Sequence, residues 1–210
     1  MKNIIVATNN IGKITEIKRY FEEVACADGQ PLFNILPLGD VLPNFDLEAF
    51  EDGNTFEENA RKKVAAVARA VGCRPFNDED FYVLADDSGL EIDALNGLPG
   101  VDSANFMGRE TPYSLRFDKI LHDMLDIPNE DRTARFICVM ALYIEGEIKT
   151  FRATIEGEVA DKPIGNGGFG YDPIFYIPKF DCTAAELPLW QKNEISHRGK
   201  ALKMVVNHLK

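Results

Sequence analysis

Several features are scarce in this 210-residue chain, and each shortage closes off a class of protein. No apolar run approaches the length needed to cross a bilayer. The opening stretch Met-Lys-Asn-Ile-Ile-Val-Ala is too short for the apolar core of a signal peptide. A cytoplasmic protein with no membrane partner is therefore expected. The four cysteines, Cys26, Cys73, Cys138 and Cys182, form no CxxC pair and no metal-binding spacing. This argues against a disulfide framework or zinc site and for reduced thiols. Basic residues are outnumbered, 23 Lys and Arg against 34 Asp and Glu, for a formal charge of −11. A protein that coats a nucleic acid polymer needs a basic face, so that class is excluded. Internal repeats and low-complexity tracts are also missing.

What is present suits a globular enzyme. The hydrophobic share of 45% is enough for a real core, and the length suits one domain over residues 1–210. The acidic surplus does not exclude nucleotides, because a few local cations can hold a triphosphate. Acidic residues are also what a magnesium site requires.

The pattern along the chain is mixed. Ile4 to Ala7 reads as a buried strand, followed by the polar loop Thr8-Asn9-Asn10 and a helix carrying Ile14, Ile17, Phe21 and Val24. Residues 28–54 are irregular around one short strand. Thr55 to Glu58 forms a capping box for a helix with Ala60, Val64, Val67, Ala68 and Val71 on its apolar face, ending at Gly72. Phe81 to Ala85 predicts a strand that stops at Asp86-Asp87-Ser88-Gly89, with Leu90 to Leu95 returning as its partner. A helix is expected from Thr111-Pro112 to Pro128, with Pro at its first position and Leu115, Ile120, Leu121 and Leu125 on it. Arg135–Ile144 and Thr150–Val159 predict a hairpin across a Glu-Gly turn. Ser196 caps a last helix through Leu202, Val205, Val206 and Leu209. The expected fold class is α/β: a mixed central sheet, flanking helices and a smaller second lobe with a substrate cleft between.

Four motifs could carry chemistry. Thr8 to Lys13 lies between a strand and a helix N-terminus, where free N–H groups and Lys13 suit phosphate; the same residues also suit a plain capped helix start. It is not a Walker P-loop, since Ile14 stands where a Ser or Thr is needed. Asp86-Asp87 could hold a hard cation and activate water, or belong to an ordinary Asp-Ser-Gly turn. Two like charges side by side after five apolar residues are costly without a cation. Gly165 to Pro173 is glycine-rich and offers Phe169 and Tyr171 as stacking faces, or else forms a tight turn around an aromatic plug. Lys192 and Ser196-His197-Arg198 put cations where a helix dipole prefers anions, which suits a ligand, although a solvated helix end is the alternative.

Five segments in order carry a resemblance: Thr8–Lys13, Thr55-Phe-Glu-Glu-Asn-Ala60, Ala85-Asp-Asp-Ser-Gly-Leu90, Gly167–Phe175 and Ser196-His-Arg198. Over Ile4 to Leu209 the chain resembles the inosine/xanthosine triphosphate pyrophosphatase family, homodimeric enzymes that remove deaminated purine nucleotides. The resemblance implies that Thr8, Asn9, Asn10, Ile11, Gly12 and Lys13 hold the triphosphate and that Asp87 is general base and Mg²⁺ ligand. Glu51 matches a further metal-binding acid, with Asp86 beside Asp87. Ser88 contacts substrate, and Phe169, Gly170, Tyr171, Asp172, Lys192, His197 and Arg198 enclose the purine. Residues 73–82 look like an insertion, and residues 40–50 are longer than the pattern requires.

The mechanism expected is attack of a metal-activated water on the α-phosphorus, with pyrophosphate leaving and Lys13 stabilising the transferred group. The alternatives are a pyrophosphatase for modified pyrimidine nucleotides and a catalytically silent nucleotide-binding module. A haloacid dehalogenase is excluded, because its Asp-x-Asp nucleophile motif is absent.

Overall fold

A computed structural model describes residues 2–24, 32–72 and 81–210. Cys26, Cys73 and residues 73–80 of the apparent insertion lie outside the described residues. Seven strands form one mixed sheet in the order β2-β1-β3-β4-β5-β6-β7. β1 (Lys2–Ala7) pairs in parallel with β2 (Phe33–Pro37) and with β3 (Phe81–Ile92). β6 (Phe175–Ile177) is antiparallel to β5 (Glu147–Val159) and to β7 (Cys182–Thr183). Ile4 to Ala7 are all buried, as expected of a parallel strand covered on both faces. β4 (Thr133–Ile144) meets β5 at Glu145-Gly146, with φ of 51° and 82°. Positive φ at both central residues is the hairpin turn whose twist matches the strands.

The chain divides into two compact units. The first comprises Met1–Asp87, Val139–Arg152 and Ala201–Lys210. Its core is built on β1 and the first half of β3, together with buried residues of two helices. α1 (Ile11–Glu23) contributes Ile17 and Phe21, and α3 (Phe56–Gly72) contributes Ala60, Val64, Val67, Ala68 and Val71. The predicted capping box is half formed. Glu58 N–H donates to Thr55 Oγ1 at 3.1 Å, but the Glu58 carboxylate accepts from Asn54 N–H at 2.8 Å rather than from Thr55. A short helix, α2 (Leu38–Val41), and a 3-10 turn at Glu48–Phe50 occupy the stretch read as irregular.

The second unit comprises Ser88–Cys138 and Ala153–Lys200. Leu90, Ile92, Phe117, Ile120, Met124 and Phe175 lie at its core. α4 (Tyr113–Asp123) is shorter than predicted, and Pro112 is its extended N-cap rather than its first helical residue. Arg116, Phe117 and Ile120 form its buried face and Met124, its C-cap, is buried too, while Leu115 and, past the helix, Leu125 are exposed. α5 (Leu189–Ile195) was not foreseen; α6 (His197–Leu209) follows it directly.

One prediction fails outright. β3 does not stop at Asp86 and return from Leu90; it runs extended for 12 residues, and the chain turns only at Asp93–Gly97. Asp-Ser-Gly is turn-forming where its side chains satisfy their own backbone. Here Asp86 and Asp87 are engaged by lysines from other elements, so nothing local draws the strand into a turn.

Candidate active site

The first cluster lies in the first unit. β1 ends at Ala7 and is followed by Thr8, which is buried and whose Oγ1 accepts the Asn10 N–H at 3.2 Å. Asn10 caps α1, accepting the Lys13 N–H at 3.1 Å, while Asn9, Asn10 and Ile11 stay exposed. The capped helix start is therefore real. It does not compete with the phosphate reading, because the first turn of α1 contains no acid and its positive end is uncompensated. Lys13 lies intermediate between surface and core, with Nζ 2.6 Å from Asp86 Oδ1.

Around Asp87 the groups are more tightly bound. Lys63 is 2% exposed, and its ammonium donates to Asp87 Oδ1 at 2.7 Å, to the Asp86 carbonyl at 2.8 Å and to Glu51 Oε1 at 3.0 Å. Asn59 donates to Asp87 Oδ2 at 3.3 Å and accepts the Gly53 N–H at 2.7 Å, which ties the Glu51 loop to the same carboxylate. Gly53 has no room for a side chain, since a Cβ there would meet Asn59 Oδ1. Burial pushes the Asp87 carboxyl above its ordinary value, against the opposing pull of Lys63 and Lys13. Burial works against the charged form of Lys63 too, yet Asp87, Glu51 and Asp86 outweigh it and hold the ammonium charged.

Two consequences follow for the expected cation. The cost of adjacent Asp86 and Asp87 is offset by Lys13 and Lys63, so their adjacency alone does not demand a metal. Among the described residues no group of three or more His, Cys, Asp or Glu is arranged to hold one. Glu51 and Asp87 nevertheless present oxygens to the same ammonium, an all-oxygen pair converging on one positive charge. That fits a magnesium ion, which takes one or two carboxylates and fills its octahedron with water and phosphate oxygens.

The second cluster lies in the second unit. Phe169 is partly exposed, with the Lys192 ammonium 4.9 Å and the Arg198 guanidinium 5.3 Å from its ring centroid. Lys192 is also paired with Asp172 at 2.6 Å, and the same Asp172 oxygen accepts the Phe169 N–H at 2.7 Å. Gly168, at φ 69°, is required, because a Cβ would collide with that carboxylate. Arg198 donates to Ser88 Oγ at 2.8 Å. His197 is buried with its ring stacked on Phe136, centroids 4.9 Å apart. Asp172, Lys192, Ser196 and His197 line a pocket whose other walls are apolar, Phe136 and Phe175 among them. Ser196 accepts the Gly199 N–H at 3.0 Å, the expected cap of α6.

Tyr171 does not offer the stacking face expected of it. It is buried edge-on against Tyr113, and its hydroxyl donates to the Ser103 carbonyl at 2.8 Å. Burial raises its phenol to about 12, so it remains a donor. Phe169 alone of the two aromatics is open.

The Ham1 family pattern matches residues 4–208. The chain belongs to the Ham1 family. It is 44% identical over 210 residues to the dITP/XTP pyrophosphatase of Geobacter sulfurreducens, covering all of this chain and 97% of that one. Among solved structures, the Staphylococcus aureus Ham1 protein superposes with a TM-score of 0.81 at 40% identity, over 99% of this chain and 98% of that one. A HAM1 protein from Coxiella burnetii gives 0.82 at 36% identity, over 100% and 98%. The expected α/β class with a mixed sheet is borne out by this match.

In this Ham1 chain, Lys63 escaped notice in the sequence although a signal existed, and Asn59, inside a segment that carries the resemblance, was given no role. Both lie among the apolar positions of α3, and a lysine between Ala60 and Val67 is out of place on a buried stripe. A buried lysine demands a carboxylate partner, and Asp87 was the candidate already in view. No helix among the described residues is long and apolar enough to cross a membrane.

Proposed function

We propose that this chain hydrolyses deaminated purine nucleoside triphosphates, ITP, dITP and XTP, to the monophosphate and pyrophosphate. The observation that carries the reading is the buried Asp87–Lys63 pair with Glu51 reaching in from the surface, in a chain whose full-length relatives include a dITP/XTP pyrophosphatase. A silent binding module has no need of a desolvated carboxylate paired with a buried lysine, which is costly to bury.

In this reading the residues divide the work. Asp87, its basicity raised by burial, takes the proton of the attacking water. Lys63 and Asn59 fix the orientation of that carboxylate. Lys13 and the open N-terminus of α1 neutralise charge on the phosphates. Asp87 and Glu51, with Asp86 adjoining, would hold Mg²⁺, which when bound acidifies water and offsets charge on the leaving pyrophosphate. Phe169 supplies the face for the purine, and Lys192, His197 and Arg198 supply donors for its edge. The reading includes a cytoplasmic homodimer acting on free nucleotides.

The test is product analysis. Incubation with ITP and Mg²⁺ should yield IMP and pyrophosphate, and chelation should stop it. IDP and orthophosphate as first products would sink the assigned point of attack.

A further inference from the structure

The inference concerns the purine end and rests on the reading just given for Phe169 to Asp172. The glycine-rich stretch around that loop contains Gly165, Gly168 and Gly170, all at positive φ, and Asp172 is the side chain within it that orders its backbone, accepting the Phe169 N–H at 2.7 Å. What holds Asp172 in place has to come from outside the loop.

Arg116 on α4 is 1% exposed, the largest of the fully buried side chains among the described residues. Its guanidinium is directed at backbone carbonyls. Nη1 donates to Ser103 O at 3.2 Å and Ala104 O at 2.8 Å, and Nη2 to Gly108 O at 3.0 Å and Arg109 O at 3.1 Å. Ser103 and Ala104 end a 3-10 helix, Gly100–Ala104, whose last carbonyls need donors, and a planar fork suits several at once. The carbonyl of Ser103 also receives the Tyr171 hydroxyl at 2.8 Å. Ser103 Oγ accepts the N–H of Leu90 at 2.9 Å, two residues beyond Ser88. Tyr113, one turn earlier on the same helix, lies 4.7 Å from the Arg116 guanidinium carbon and packs edge-on against Tyr171.

We propose that Arg116 and Ser103 form a buried clamp that positions the glycine-rich purine loop. Arg116 is thus a positioning residue for base recognition, on a helix that carries none of the candidate site residues. The link is short. Tyr171 is anchored to Ser103 and immediately precedes Asp172, whose carboxylate orders both the Phe169 backbone and Lys192. A loosened Tyr171 therefore displaces the ring and the cation that would meet the base. The Asp87 cluster, built from β3, α3 and the Glu51 loop, contains no part of this chain of contacts.

The two reaction products separate the clamp from general stability. Inhibition by IMP reports on the base end, and inhibition by pyrophosphate on the phosphate end. Tyr171→Phe keeps the packed ring and removes one hydrogen bond; Arg116→Lys keeps the charge and loses the fork. Both should weaken IMP inhibition by about five- to tenfold and raise KM for ITP more than they lower kcat. Pyrophosphate inhibition should hold at the wild-type value. If Arg116→Lys does not fold, Tyr171→Phe decides alone. Equal weakening of both inhibitors, or unchanged IMP inhibition in a cooperatively folded variant, overturns the clamp. Failure of the wild-type protein to split ITP overturns the functional reading itself, a separate result.

Discussion

The two candidate clusters hold buried charge in opposite ways. Around Asp87, carboxylates meet ammonium groups directly: Lys13 on Asp86, Lys63 on Asp87 and Glu51. Around Phe169, two cations lie over a ring, and Asp172 pairs with one of them. The first arrangement leaves a carboxylate that burial holds above its ordinary value, the group that the proposed reading makes the base. The second leaves donors beside an apolar face, which can discriminate a ligand without reacting. In the proposed reading, chemistry and recognition thus fall in different kinds of electrostatic environment, and substitutions should separate them.

The largest effect is expected at Asp87. Asp87→Asn keeps the shape and one acceptor, and removes the charge and the basicity. Loss of a general base should lower kcat for ITP by at least about 10²-fold. Affinity for ITP, measured by calorimetry without turnover, should change far less. A variant with near wild-type kcat would reduce the cluster to a structural ion pair.

Arg198→Ala is the counterpart in the second cluster, with a smaller effect on rate and a larger one on selectivity. Hypoxanthine and xanthine carry a keto oxygen at C6, which accepts hydrogen bonds; adenine carries an amino group, itself a donor. Loss of a charged donor should lower kcat/KM for ITP by about ten- to a hundredfold, with less change for ATP. The ITP-to-ATP ratio therefore narrows. Equal losses on the two substrates would assign Arg198 to packing around Phe169 and not to reading the base.

How far these clusters could be read beforehand depended on how local their causes are. The strand before Thr8, the cap by Asn10, the hairpin turn at Glu145-Gly146 and the cap by Ser196 each follow from neighbouring residues, and all are present. Asp86-Asp87-Ser88-Gly89 misled, because its conformation is set by Lys13 and Lys63, which come from distant elements. Phe169 and Tyr171 are equivalent in the sequence, two aromatics among glycines. Only the contacts of Tyr171 with Tyr113 and Ser103 reveal that one is support and the other is open. Lys63 was readable in principle, as a charge on an apolar stripe, and was missed because the stripe was read only for its apolar members.

The smallest effect should come from a charged cluster that belongs to neither arrangement. Arg135 makes two hydrogen bonds to Asp93, at 2.7 and 2.8 Å, and one to Glu156 at 3.0 Å, while Thr133 adds another to Asp93 at 2.7 Å. The Arg135 hydrogen bonds, then that from Thr133, hold the Asp93 carboxyl below its ordinary value of 3.8. A carboxyl that ionises more readily folded than unfolded stabilises the fold at pH above its unfolded value. That contribution is lost as pH falls below 3.8 through the lower folded value. Asp93 is 44% exposed, so solvent screens the pair and its contribution is small. Arg135→Ala should therefore leave ITP kinetics unchanged and lower Tm slightly at pH 7. The deficit should shrink when melts are repeated at progressively lower pH through that window. A deficit that stays constant would mean that Arg135 acts through packing. A loss of ITP selectivity at pH 7 would show that surface charge reaches the base end, and the separation of chemistry from recognition would then be incomplete.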